Sequence, residues 1–190
     1  MKNGIALTAL VLLLMVVPRL SYAADATPFD SAQSAPMMGP PPELAQLAFL
    51  IGNWDVKGRL KMDPSQPDWI EFAGTCSYEM IAGGTTIESN YRSSTMGMDF
   101  IGFGLHSYDR ETQQWQAVWI DNVGARQSYY TGRFADGKLV MQGDEKFGGQ
   151  SFVNRFVISD ITDKSFQWKI EMSKDGQTWA TSMEATYTRR

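Results

Sequence analysis

The sequence is short of several residue types that chemistry needs. Among 190 residues it has one cysteine, Cys76, and one histidine, His106. A single cysteine allows no intrachain disulfide, so stability has to come from packing. A single histidine means that any histidine-based acid-base, nucleophilic or metal mechanism must pass through His106. No G-x-S-x-G elbow is present, so a Ser-His-Asp triad would have to recruit Ser107 or Ser128 with Asp109 or Asp121. Basic residues are in deficit, 17 against 21 acidic, for a formal net charge of −4. That balance argues against nucleic-acid partners and anionic membrane surfaces, both of which need a basic footprint.

Long apolar runs are missing too. The run Ile5 to Val17 is too short for a comfortable membrane span, but it follows Lys2 and precedes Ser21-Tyr22-Ala23, with small residues where a signal peptidase reads. Residues 1–23 are therefore expected to be a signal peptide cut after Ala23, with Ala24 or Ala26 as alternatives. The mature chain would be periplasmic or secreted, with no membrane span. No cysteine stands at the cut, which argues against a lipid anchor. Cleavage removes Lys2 and Arg19 and no acid, so the net charge falls from −4 to −6. Residues 24–42, rich in Ala, Pro, Ser and Met, read as a flexible leader that cannot bury enough apolar surface to fold alone. Residues 43–190 are long enough for one domain with a sizeable core.

What is present is a two-residue period. A short amphipathic helix comes first, with Pro42 in its first turn, Leu44, Leu47, Ala48 and Ile51 on one face, and Gly52 as its stop. From Trp54 the pattern alternates: Trp54, Val56, Gly58, Leu60 and Met62 oppose Asp55, Lys57, Arg59 and Lys61, as in an antiparallel strand with one wet face. Ile70 to Met80 repeats this pattern and places Cys76 on the apolar face as a buried packing thiol. Further strands follow at Ile87–Thr95, Phe100–Tyr108, Gln114–Asp121, Tyr129–Phe134, Lys138–Gly143, Gln150–Ile158, Phe166–Met172 and Trp179–Tyr187. Gly83-Gly84, Asp136-Gly137 and Asp175-Gly176 supply turns.

About ten short strands with hairpin connections and no crossover helix imply an all-β fold. A closed antiparallel up-and-down barrel removes the apolar edges such strands would expose, and the helix can plug one end. A two-sheet sandwich is the alternative.

Ten strands enclose an interior that side chains need not fill. The candidate lining is Trp54, Phe72, Tyr78, Phe100, Trp115, Trp119, Phe156 and Trp168, with His106, Tyr130 and Asn154 as polar anchors for a small, largely apolar ligand. Asp109 and Asp121 fit turn-capping roles better than a catalytic carboxylate pair, and Asp144-Glu145 reads as a solvated turn. No catalytic residue, metal site or cofactor is assigned. Met37 and Met38 alone do not make a metal site.

The chain also carries Gly52-Asn53-Trp54 after the helix, then Gly83-Gly84, then Gly102 to Asp109, then Trp119-Ile120-Asp121. Together these resemble the signature G-x-W, G-G, G-Y-D, W-x-D of a bacterial exported family of unknown function with a calycin-like barrel, akin to lipocalins, fatty-acid-binding proteins and nitrobindins. The likeness covers residues 44–188 and departs at Ser107, where glycine is usual. It implies the barrel and, as a tendency, an apolar ligand inside it. In the nitrobindin-like barrels a histidine towards the C-terminal end holds haem; this chain has none there, and tyrosine ligation by Tyr108 or Tyr130 would be needed instead. Functions weighed behind ligand binding are a cell-envelope interaction or structural module, then haem binding or hydrolysis.

Overall fold

The computed structural model describes residues 39–147 and 149–190; the expected signal peptide and most of the leader lie outside them. Ten antiparallel strands close into a barrel: β1 Gly52–Leu60, β2 Ile70–Ile81, β3 Thr86–Thr95, β4 Met98–Asp109, β5 Gln114–Asp121, β6 Gln127–Ala135, β7 Lys138–Phe147, β8 Gln150–Ser159, β9 Ser165–Ser173 and β10 Ala180–Arg189. Each strand pairs with its neighbours in sequence, and β1 pairs with β10 to close the ring. Closure leaves no strand at a sheet edge, which is its physical gain. Asp136 and Gly137 both take positive φ, as the tight hairpin needs.

The leading helix is a 3₁₀ helix, Pro42–Leu50, and not the α-helix that the one-face spacing suggests. Its period is three, so Leu44, Leu47 and Leu50 are buried whereas Ala48 is exposed and Ile51 only half-buried. Bonds from Leu44 N to Pro41 O and from Ile51 N to Ala48 O, at 3.0 and 3.2 Å, mark the two ends. The chain just ahead of the helix also packs on the barrel: Pro41 is buried and Arg110 donates to the Gly39 carbonyl.

This helix caps one end of the barrel. Its buried leucines join Trp54, Phe166, Ile87, Leu139 and Tyr187 in the core. Trp54 Nε1 donates to the Leu50 carbonyl at 2.7 Å, and its ring meets Phe166 edge-on at 4.8 Å. Arg189, near the end of β10, lies over the Trp54 ring and donates to the Phe49 and Ile51 carbonyls. A residue from the last strand thus satisfies the exposed acceptors of the helix end and ties the two ends of the domain together.

Two alternation readings fail at strand ends. Met62 lies beyond β1 and is exposed, and Met80, near the end of β2, is exposed as well. The strand β7 runs past Gly143 to Phe147, so Asp144-Glu145 is strand and not turn. Glu145 is buried.

Candidate functional site

Alternation places one side chain in two inside the ring, and the register then sets which of them meet. His106 pairs with Ala117, Ala117 with Tyr130, and Gly143 with Asn154. These positions lie on inward faces of β4 to β8, so the three expected polar anchors occur on one side of the interior, separated by the small residues Ala117 and Gly143. His106 faces inward, near Tyr78 and Phe156 at ring distances of 6.2 and 6.5 Å. Phe156 in turn packs on Tyr130 and stacks on Trp168.

The hydrogen bonds of this region run in one direction. Arg126 pairs with the Glu145 carboxylate and donates to the Lys146 carbonyl. Tyr130 donates its hydroxyl to Glu145 at 2.9 Å, and Asn154 Nδ2 donates to the Tyr130 oxygen at 3.4 Å. Beyond that chain the partners run out: Ser89 Oγ, His106 Nδ1 and Asn154 Oδ1 are buried and have no hydrogen-bond partner. Each such atom costs about 1–3 kcal/mol when left unsatisfied in a folded interior. Ser89 and His106 converge, since a Cβ on Gly104 would stand 2.4 Å from Ser89 Oγ and 3.5 Å from His106 Nε2.

Burial sets the charge states. It pushes the His106 pKa down to about 4, so the imidazole is neutral at physiological pH. Burial pushes the Cys76 thiol up to about 12, which keeps it protonated and inert and fits the packing role expected of it. Burial, then the nearby Glu145 charge, raises Tyr130.

The remaining candidates divide. Trp54 and Trp115 are fully packed at the capped end, Trp115 against Tyr108 and Phe134. Phe72 and Tyr78 are buried in the wall. Phe100, Trp119 and Trp168 remain half-buried against the core. Trp119 explains the glycines of β4, because a Cβ on Gly102 would come within 2.1 Å of its ring. Its indole donates to Asp121 at 2.9 Å, and Asp121 accepts from the Val123 and Gly124 amides. Asp109 likewise accepts from Glu111 N, Thr112 and Gln116. The signature aspartates are therefore turn caps, and neither reaches His106.

Three residues outside the expected set join this cluster: Ser89, Glu145 and its partner Arg126. Ser89 is legible from the β3 alternation of Ile87, Ser89 and Tyr91. Glu145 is not, because its neighbours Asp144 and Lys146 make the segment look solvated.

The β6–β7 ladder stops at Thr131↔Gln142 although both strands run on. A pocket of about 570 Å³ opens at that end, lined by Arg126, Glu145, Phe152, Lys174 and neighbours. Glu145 thus joins the outer pocket to the inner hydrogen-bond chain.

Metal and haem chemistry find little support in these residues. Among the described residues no three His, Cys, Asp or Glu side chains gather as a metal site. Tyr130 is committed to Glu145, Tyr108 packs edge-on against Trp115, and the Tyr78 and Phe156 rings crowd His106, so the tyrosines and the histidine do not fit a haem.

The fold defines the class: a closed ten-stranded antiparallel up-and-down barrel with a capped end and a partly polar interior. Residues 39–189 match the family model described as Protein of unknown function (DUF1579), and the chain belongs to that family. Among solved structures, Rv2717c from M. tuberculosis superposes with a TM-score of 0.56 at 13% identity, over 80% of this chain and 99% of that one. The S-type phycobiliprotein lyase CPES from Guillardia theta gives a TM-score of 0.51 at 12% identity, over 80% and 98%. At such identities the likeness concerns the fold. No curated protein matches the chain.

Proposed function

We propose that this protein is an exported barrel that binds a small, largely apolar molecule in its interior without carrying out chemistry on it. The observation that carries the reading is the set of buried, unpartnered atoms, Ser89 Oγ, His106 Nδ1 and Asn154 Oδ1, on an aromatic interior wall. Three such atoms on one aromatic wall are what a binding site with a few placed polar groups supplies. Export rests on the signal-peptide pattern of residues 1–23. The absence of chemistry rests on His106, which has neither a carboxylate nor a nucleophile in hydrogen-bond contact.

Titration of the purified protein with N-phenyl-1-naphthylamine, a neutral fluorescent probe, tests the reading. One saturable site per chain is expected, with the emission shifted to the blue. A linear, unsaturable response would overturn it. The second reading, an interaction module of the cell envelope, draws on the exposed apolar side chains Met62, Met96, Met98 and Val123, which sit in or beside loops at the uncapped end. It predicts capture of a specific envelope protein, lost when these four residues are made polar.

A further inference from the structure

The direction of the interior hydrogen bonds says what the ligand must offer. This inference rests on the interior binding site proposed above and concerns the class of molecule that fills it.

Glu145, paired with the Arg126 guanidinium, can only accept. Tyr130 has one proton and spends it on Glu145 Oε1. The Tyr130 oxygen is left to accept, so the neighbouring Asn154 must present its NH₂ group to it, as the 3.4 Å contact has it. That choice fixes the amide orientation from the network and turns Asn154 Oδ1 away from Tyr130 as a bare acceptor. A ligand that brings only acceptors leaves this oxygen unsatisfied. His106 is neutral and Ser89 is a hydroxyl, so both can donate or accept and adapt to the ligand.

Charge is constrained as well. Glu145 is the buried ionised side chain among the described residues, and Arg126 already neutralises it. Burying a charged ligand here without a partner would be costly. The walls are aromatic: Phe156 stacks on Trp168, and Phe100 on Trp119, with interplanar angles of 26° and 18°. Ring faces of this kind favour flat, aromatic partners.

We infer that the barrel selects uncharged aromatic molecules that carry a hydroxyl or amino hydrogen-bond donor, with Asn154 Oδ1 as the acceptor that reads it. Binding then depends on one proton on the ligand.

Three probes of matched shape test this on the full chain: 1-naphthol, 1-methoxynaphthalene and naphthalene, followed by quenching of tryptophan fluorescence. The expected result is that 1-naphthol binds roughly tenfold tighter than 1-methoxynaphthalene, the ratio for one buried acceptor left unmade. In Asn154→Leu the three affinities should converge while naphthalene still binds. Equal binding of 1-naphthol and 1-methoxynaphthalene to the wild-type chain overturns the inference and leaves the binding site standing, and this comparison needs no variant to fold. Persistence of the preference in Asn154→Leu also overturns it. Failure of all three probes to bind overturns the proposed function itself.

Discussion

The two ends of this barrel are built to different rules. At the capped end Trp54, Leu47, Leu50, Phe166, Ile87 and Leu139 have no exposed surface, and the polar atoms of Trp54 and of the helix end are matched by Leu50 and Arg189. Further along the interior Phe100, Trp119 and Trp168 stay half-buried, and buried atoms of Ser89, His106 and Asn154 lack partners. Satisfied, close-packed groups contribute stability, whereas unsatisfied groups lower it and remain useful only if something else completes them. Stability and recognition are thus separated along one axis, as in proteins whose sites sit where the scaffold is least complete.

Substitutions can break that separation. The largest effect should come from Trp54→Ala, which removes the ring under Arg189, the bond to Leu50 and the contact with Phe166. A loss of about 3–5 kcal/mol is expected in urea unfolding. A loss below 1 kcal/mol would mean that the cap is not where stability resides. Next is acid. The folded-state value of His106, about 4, lies below its ordinary 6.5, so on acidification the unfolded chain takes up this proton first. His106 therefore takes nothing from stability above about pH 6.5, weakens it progressively between 6.5 and 4, and adds no further loss below 4, up to roughly 3 kcal/mol in all. His106→Gln should flatten that window in unfolding measured against pH. Gly102→Ala sharpens the contrast further: the added methyl must displace Trp119, for a cost of about 1–3 kcal/mol. Smallest is Met98→Ser, on a side chain 62% exposed. It should change the unfolding free energy by less than about 0.5 kcal/mol.

Much of this plan is legible in the order of the amino acids, and the exceptions have physical causes. Alternation and turn residues place ten strands, because a half-buried antiparallel strand writes its period directly into the sequence. The direction of His106 is not legible: Gly102, Gly104 and Tyr108 share its parity, but only the pairing with Ile87 and Ala117 shows that face to be the inner one. The helix is harder: leucines at 44, 47 and 50 satisfy a period of three, while 44, 47, 48 and 51 satisfy a wider α-helical stripe, and only docking under Arg189 and Trp54 decides between them. Glu145 is hidden for a different reason. Its burial depends on Arg126 and Tyr130, partners 19 and 15 residues away, and local composition says nothing about them. The orphan atoms of Ser89 and Asn154 likewise exist only once register is known, since each is defined by what fails to face it.

The separation of the two ends is tested most directly by narrowing the middle of the interior. Ala117 stands between His106 and Tyr130 in the register, and Ala117→Leu pushes bulk into the space between the polar anchors. The measurement is the affinity for N-phenyl-1-naphthylamine in Ala117→Leu against the wild-type chain, with urea unfolding of both as the control. At least a tenfold weaker affinity with the folded state retained is the predicted result. An unchanged affinity in a folded variant would place the probe elsewhere and contradict the account.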